Sequence, residues 1–96
     1  MTRPAALGDA ASARMLVQDD GKLHDVLEVV ELVGTIARVR SPFLFEIGEE
    51  LSVRIEQAGA VSEAKARVRA HTGPAEERVT ELELTARSEP RPMVNG

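Results

Sequence analysis

The sequence predicts an all-β fold, a small antiparallel β-barrel of about six strands. Three observations carry that expectation. Apolar and polar residues alternate strictly over 51–56, 64–71 and 80–86, the period of a strand with one buried face. Turn signals rich in Gly, Asp and Pro separate these segments. The chain has 96 residues, enough for one modest core and one domain.

Taken in order, residues 1–12 mix Ala, Gly, Asp, Ser and Pro without an apolar period and read as a disordered tail. Arg14 to Gln18 is a short apolar run. Asp19-Asp20-Gly21-Lys22 follows, and Asp-Gly marks a hairpin because glycine accepts the positive φ of such turns. Asp25 to Val33 carries Val and Leu on both faces, as a doubly buried or bulged strand does. Gly34 punctuates it, and Thr35 to Arg40 resumes as strand with Ala37 and Val39 on one face and Arg38 and Arg40 on the other. Ser41-Pro42 opens a loop that runs to Gly48-Glu49-Glu50. Leu51, Val53 and Ile55 then point one way and Ser52, Arg54 and Glu56 the other. Gln57 to Ala60 is a turn.

Ser62 to Ala70 supports two readings. Its helix formers, with Ser62 as N-cap and Gly73 as terminator, suit a helix. Strict alternation suits a strand, and a strand sets Lys65, Arg67 and Arg69 opposite Glu81 and Glu83 in one antiparallel pair. The strand reading is taken. Thr72 to Glu77 is a turn, and Thr80, Leu82, Leu84 and Ala86 alternate with Glu81, Glu83 and Thr85. Pro90 and Pro92 remove backbone donors, so 88–96 is expected to be a second disordered tail. The expected domain is 13–87.

Composition limits the chemistry. Phe43 and Phe45 are the only aromatic residues, so the core must be built from Val, Leu, Ile and Ala. The net charge of −4 argues against nucleic acid as a partner, since phosphate binding needs a concentrated basic surface. The absence of cysteine excludes disulfides, thiol catalysis and Cys-based zinc sites. No apolar run is long enough to insert into a membrane, and the first residues lack the apolar region of a secretory signal, so a cytoplasmic location is expected. Ten of the twelve basic residues are Arg, in keeping with a GC-rich bacterial genome.

From Leu27 to Leu84 the chain resembles a PilZ domain, a small β-barrel module of bacterial signalling. Three stretches carry the resemblance. Val30 to Val39 sits where the family has a strand–turn–strand around Asp-x-Ser-x-x-Gly. Phe45 to Ile55 is similar to the family's loop, glycine and following strand. The segment from Ala64 to Leu84 is similar to its last two strands.

The family binds cyclic di-GMP through an N-terminal Arg-x-x-x-Arg and the Asp-x-Ser-x-x-Gly motif, and both are altered here. The second motif becomes Glu31-Leu32-Val33-Gly34-Thr35-Ile36, with Val33 in place of the serine and bulky Ile36 in place of the glycine. In the first, Arg14 is followed four residues on by Gln18, which cannot supply a second charged, bidentate fork. The family's C-terminal helix is also missing. The resemblance therefore implies a degenerate PilZ-like domain that has lost its nucleotide site and acts as a protein-binding adaptor in signalling or motility.

The remaining residues offer little catalytic chemistry. His24 and His71 lack metal-ligand spacing, and His24-Asp25 beside a turn reads as surface. No Gly-rich phosphate loop is present. Glu49-Glu50 and Glu76-Glu77 read as solvated turns. The chain is expected to be no enzyme and to need no cofactor or metal. Candidate partner-binding residues are Arg38 and Arg40, which project from one strand face, and Phe43 and Phe45, because Phe43-Leu44-Phe45 is more apolar surface than one strand face can bury. The expected partner is a bacterial protein. Two alternatives stand beside it: a divergent cyclic di-GMP receptor using Arg14, Arg38 and Arg40, and a homo-oligomer formed by a paired sheet edge.

Overall fold

A computed structural model describes residues 13–92. The strands are β1 (Arg14–Asp19), β2 (Lys22–Val33), β3 (Ile36–Arg40), β4 (Glu50–Gln57), β5 (Ala60–Thr72), β6 (Val79–Thr85) and β7 (Arg91–Pro92), with a single 3₁₀ turn at Ala75–Glu77. Around the sheet the order is β4-β1-β2-β3-β6-β5, and β5 pairs again with β4. Every neighbouring pair is antiparallel, so six strands close into the expected barrel.

Two meanders, β1-β2-β3 and β4-β5-β6, build this barrel. They join through β1 against β4 and β3 against β6. The tight turns follow local chemistry. Asp20 and Gly21 both adopt positive φ, 55° and 74°, the conformation that matches the twist of a two-residue hairpin. Ala58 and Gly59 repeat it between β4 and β5.

The interior is Met15, Leu27, Ala37, Val39, Leu51, Val53, Ile55, Ala64, Ala66, Val68, Leu82 and Leu84. No aromatic ring lies among them. The small alanines of β3 and β5 let opposite walls approach closely enough for branched aliphatic side chains to fill the space.

The segment 62–70 is strand, within β5. Arg69 lies near both Glu81 (3.9 Å) and Glu83 (3.7 Å), and Arg67 sits opposite Glu83 in the register. Lys65 turns to the other neighbour and donates to Ser52 Oγ at 2.9 Å.

Several boundaries differ from expectation. Gly34 and Thr35 form the turn between β2 and β3, so Thr35 is not strand. β6 ends at Thr85 because Ala86 takes a positive φ of 51° and faces solvent. The expected tail over 88–96 is ordered at its start. Ser88 N–H donates to Glu63 O at 2.7 Å, Arg91 and Pro92 pair with Val61 and Ala60, and Arg91 meets the Glu63 carboxylate at 2.9 Å. The prolines are tolerated because β7 is an edge strand. The expected tail over 1–12 and the remainder of the second one lie outside the described residues.

Leu82 has no exposed surface and stands at the middle of the core. Leu82→Ala is expected to lower the unfolding free energy by about 2–5 kcal/mol in urea denaturation. A loss below about 1 kcal/mol would show that the barrel interior collapses around the gap.

Candidate functional site

One end of the barrel is crossed by the segment joining the two meanders, residues 41–49. Its path has local causes. Ser41 Oγ accepts from Phe43 N–H at 3.1 Å, and Pro42 has no donor to continue the β3 ladder, so the chain leaves β2 after Arg40. It is then laced to β5. Gly48 N–H donates to Val68 O at 2.7 Å, and Val68 N–H donates to Glu49 O at 2.9 Å.

His71 supplies a third tether. Its Nε2 lies 2.7 Å from Phe45 O, and its Nδ1 lies 2.9 Å from Thr80 Oγ1. A carbonyl only accepts, so Nε2 carries the proton, and in the neutral ring Nδ1 accepts from the Thr80 hydroxyl. A β-bulge makes this contact available. Val68 pairs with Leu82 but Ala70 pairs with Glu81, so one extra β5 residue, Arg69, is inserted and the alternation reverses. His71 thereby shares a face with buried Thr80, and half-buried Ala70 takes the outward place.

This lacing divides the Phe43-Leu44-Phe45 run. Phe45 is half-buried and packs against the core as a lid. Phe43, Leu44 and Ile47 stand out from the surface, 56%, 63% and 60% exposed. Phe43 and Phe45 keep contact with tilted rings, 6.4 Å between centroids.

Two hollows flank the Pro42–Phe43 ridge, and Val26 lines both. The first, about 870 Å³, brings together Arg14, Arg40 and Arg78 with Asp25, Glu28 and Glu76. The second, about 540 Å³, runs between β1, the first half of β2, the start of β4 and Phe43. Buried or half-buried Val17, Val26, Phe45 and Leu51 line it with Gln18, His24 and Ser52, and with the exposed Asp19, Glu49 and Glu50.

The arginines singled out from sequence are thus separated. Arg14 and Arg40 share the larger hollow, where Arg14 is held by Asp25 at 2.9 Å and Glu56 at 3.3 Å. Arg38 does not line it. Arg38 lies in a ladder across the outer face, 2.6 Å from Glu31 and 3.6 Å from Glu81. Among the described residues Arg40 has no ion-pair partner. Exposed pairs of this kind contribute roughly 0–1 kcal/mol each, so the ladder acts mainly on strand register.

Sequence reasoning missed Ile47, Arg78 and the role of His71. For Ile47 a signal was present: a large aliphatic residue in a loop, outside every alternating segment. His71 gave none, because its inward direction depends on the bulge. Among the described residues no group of three or more His, Asp or Glu side chains is placed to hold a metal ion. No helix there is long and apolar enough to cross a membrane.

Removing the imidazole should free the crossing segment and leave Thr80 unpaired. His71→Ala is expected to cost about 1–3 kcal/mol of stability. It should also speed amide hydrogen exchange at Phe45 to Glu50 more than at β6. Uniform exchange changes throughout the barrel would show that His71 supports the core at large.

Comparison with models of protein families, with curated proteins and with solved structures finds no match to this chain.

Proposed function

We propose that this chain is a non-enzymatic adaptor domain of bacterial signalling or motility, which binds a protein partner and does not bind cyclic di-GMP. One observation carries the reading. A segment fastened to the barrel at His71, Gly48 and Glu49 holds Phe43, Leu44 and Ile47 out into solvent. Large apolar side chains on a fastened backbone lose little conformational freedom on binding, which is the economy of a contact hot spot. Arg40, adjacent to the ridge and unpaired among the described residues, can add charge complementarity at the rim. Arg38 contributes less, since its guanidinium already serves two carboxylates. The resemblance to PilZ domains, with its altered nucleotide motifs, supplies the signalling context.

The second reading, a divergent cyclic di-GMP receptor, draws on the meeting of Arg14, Arg40 and Arg78 in one hollow. Three carboxylates line the same hollow, and Arg14 is engaged by two acidic side chains. A dianionic ligand would have to displace those pairs against a lining with no net positive charge.

Two measurements separate the readings. Capture from a bacterial lysate with the whole chain is expected to yield a partner whose affinity falls about tenfold or more in the Phe43→Asp, Arg40→Glu variant. If the variant retains every partner, the proposed surface is wrong. Calorimetric titration of cyclic di-GMP into the folded protein is expected to give no heat, and saturable micromolar binding would establish the receptor reading instead.

A further inference from the structure

We propose that the groove beside Phe43 receives an extended segment of the partner protein in which an apolar side chain is flanked by lysine or arginine. This rests on the protein-binding reading and gives that partner its chemistry. The first observation is the groove's division of polarity. Apolar Val17, Val26, Phe45 and Leu51 line the groove beside the Phe43 ridge, together with the uncharged polar Gln18 and Ser52 and with His24. Its about 540 Å³ falls within the roughly 300–1,000 Å³ of ordinary ligand clefts. Its margin carries Asp19, Glu49 and Glu50, and no lysine or arginine lines it.

The state of those carboxylates is the second. Along the barrel wall, Asp25, Glu31, Glu56, Glu63, Glu81 and Glu83 lie in ion pairs, with Glu28 as the exception. Asp19, Glu49 and Glu50 lie in none among the described residues. Lys22 and Arg67 stand opposite Asp19 and Glu50 in the register without forming those ion pairs. Even so, a slot with an apolar lining, three carboxylates outside any ion pair among the described residues and no lysine or arginine in its wall repels acidic segments and favours basic ones.

The third is an open backbone edge. Toward β3, the pairing of β2 stops at Glu28 opposite Arg40. From Lys22 to Leu27, β2 pairs with β1 alone among the described residues. In the other meander, the start of β5 likewise pairs with β4, yet its far edge carries β7. There an extended segment pairs at Ala60 and Val61 while Arg91 reaches Glu63. The chain's own terminus thus shows the geometry by which a basic extended segment can add to a strand edge. At β2, His24 and Val26 line the groove, so a segment added to this edge would lie along it.

Selection from a library of short random peptides displayed against the whole chain tests this. Enriched sequences are expected to set Leu, Ile, Phe or Met beside Lys or Arg. An enriched peptide should shift the amide resonances of Leu23 to Val26, Phe43 and Phe45. Its affinity should fall about tenfold in the Asp19→Lys, Glu50→Lys variant, with folding checked by circular dichroism. These positions spare Glu49, whose carboxylate accepts Glu46 N–H. No enrichment, enrichment without basic flanks, or unchanged affinity in the variant overturns the groove proposal. Peptides that shift only the Arg14–Arg40 hollow also overturn it, yet leave the protein-binding reading standing. That reading fails separately, if lysate capture is indifferent to Phe43.

Discussion

The structure depends on two strands that each belong to both halves of a ladder. β2 pairs first with β1 and then with β3, and β5 pairs first with β4 and then with β6. A six-stranded sheet closes only if such strands coil sharply. Both do so with a bulge in the corresponding place. Val30 is the extra residue of β2 against β3, between the Val29–Val39 and Glu31–Arg38 pairs. Arg69 is the extra residue of β5 against β6. A second irregularity in β2 falls opposite the step from Met15 to Val17. Bulges add local twist, and here they occur where the strands change partner.

Each bulge also reverses the alternation that follows it, and the surface chemistry is a consequence. In β2 the reversal turns Leu32 toward Ala37 and sends Glu31 outward to Arg38, while Val33 is left 62% exposed. In β5 it brings His71 to Thr80 at the barrel end. There the imidazole can hold Phe45 O, and the crossing segment is drawn over the mouth. Closing the mouth with Phe45 leaves Leu44 on the outside, because successive residues of an extended backbone face opposite ways, while Phe43 sits in the bend after Pro42 and stays 56% exposed. The exposed apolar ridge is therefore coupled to barrel closure through one inserted residue.

The same two bulges mark the limit of what the sequence disclosed. The strands of regular period were legible: Leu51, Val53 and Ile55, then Ala64, Ala66 and Val68, then Leu82 and Leu84 all face the core as their spacing requires. The turns at Asp20-Gly21 and Gln57–Ala60 were legible because glycine in them has a conformational reason. An inserted Val or Arg carries no comparable mark, so Ala70 was read as inward and His71 as outward. Pairings between the meanders were also hidden, since local pattern does not report which distant strand lies alongside. Arg14 and Arg38 consequently looked like free charges, although Asp25, Glu56, Glu31 and Glu81 were in plain sight along the chain.

Charge distribution follows from this architecture. On a barrel wall every outward residue has neighbours on two strands, so opposite charges in register meet and largely cancel. At the mouth this cancellation is incomplete. Asp19 at the end of β1 stands opposite Lys22 and Glu50 at the start of β4 opposite Arg67, yet neither lies in an ion pair among the described residues, and Glu49 in the crossing segment is in none either. Each of the two hollows beside the ridge carries three carboxylates, but the larger balances them with three arginines, whereas the one lined by both phenylalanines has no lysine or arginine in its lining. Desolvating apolar surface supplies most of an interface's affinity, whereas unscreened rim charge sets which partner approaches and how it is oriented. On the protein-binding reading proposed above, a barrel with most of its ion pairs along the wall and its exposed apolar ridge at the mouth separates those two tasks by position.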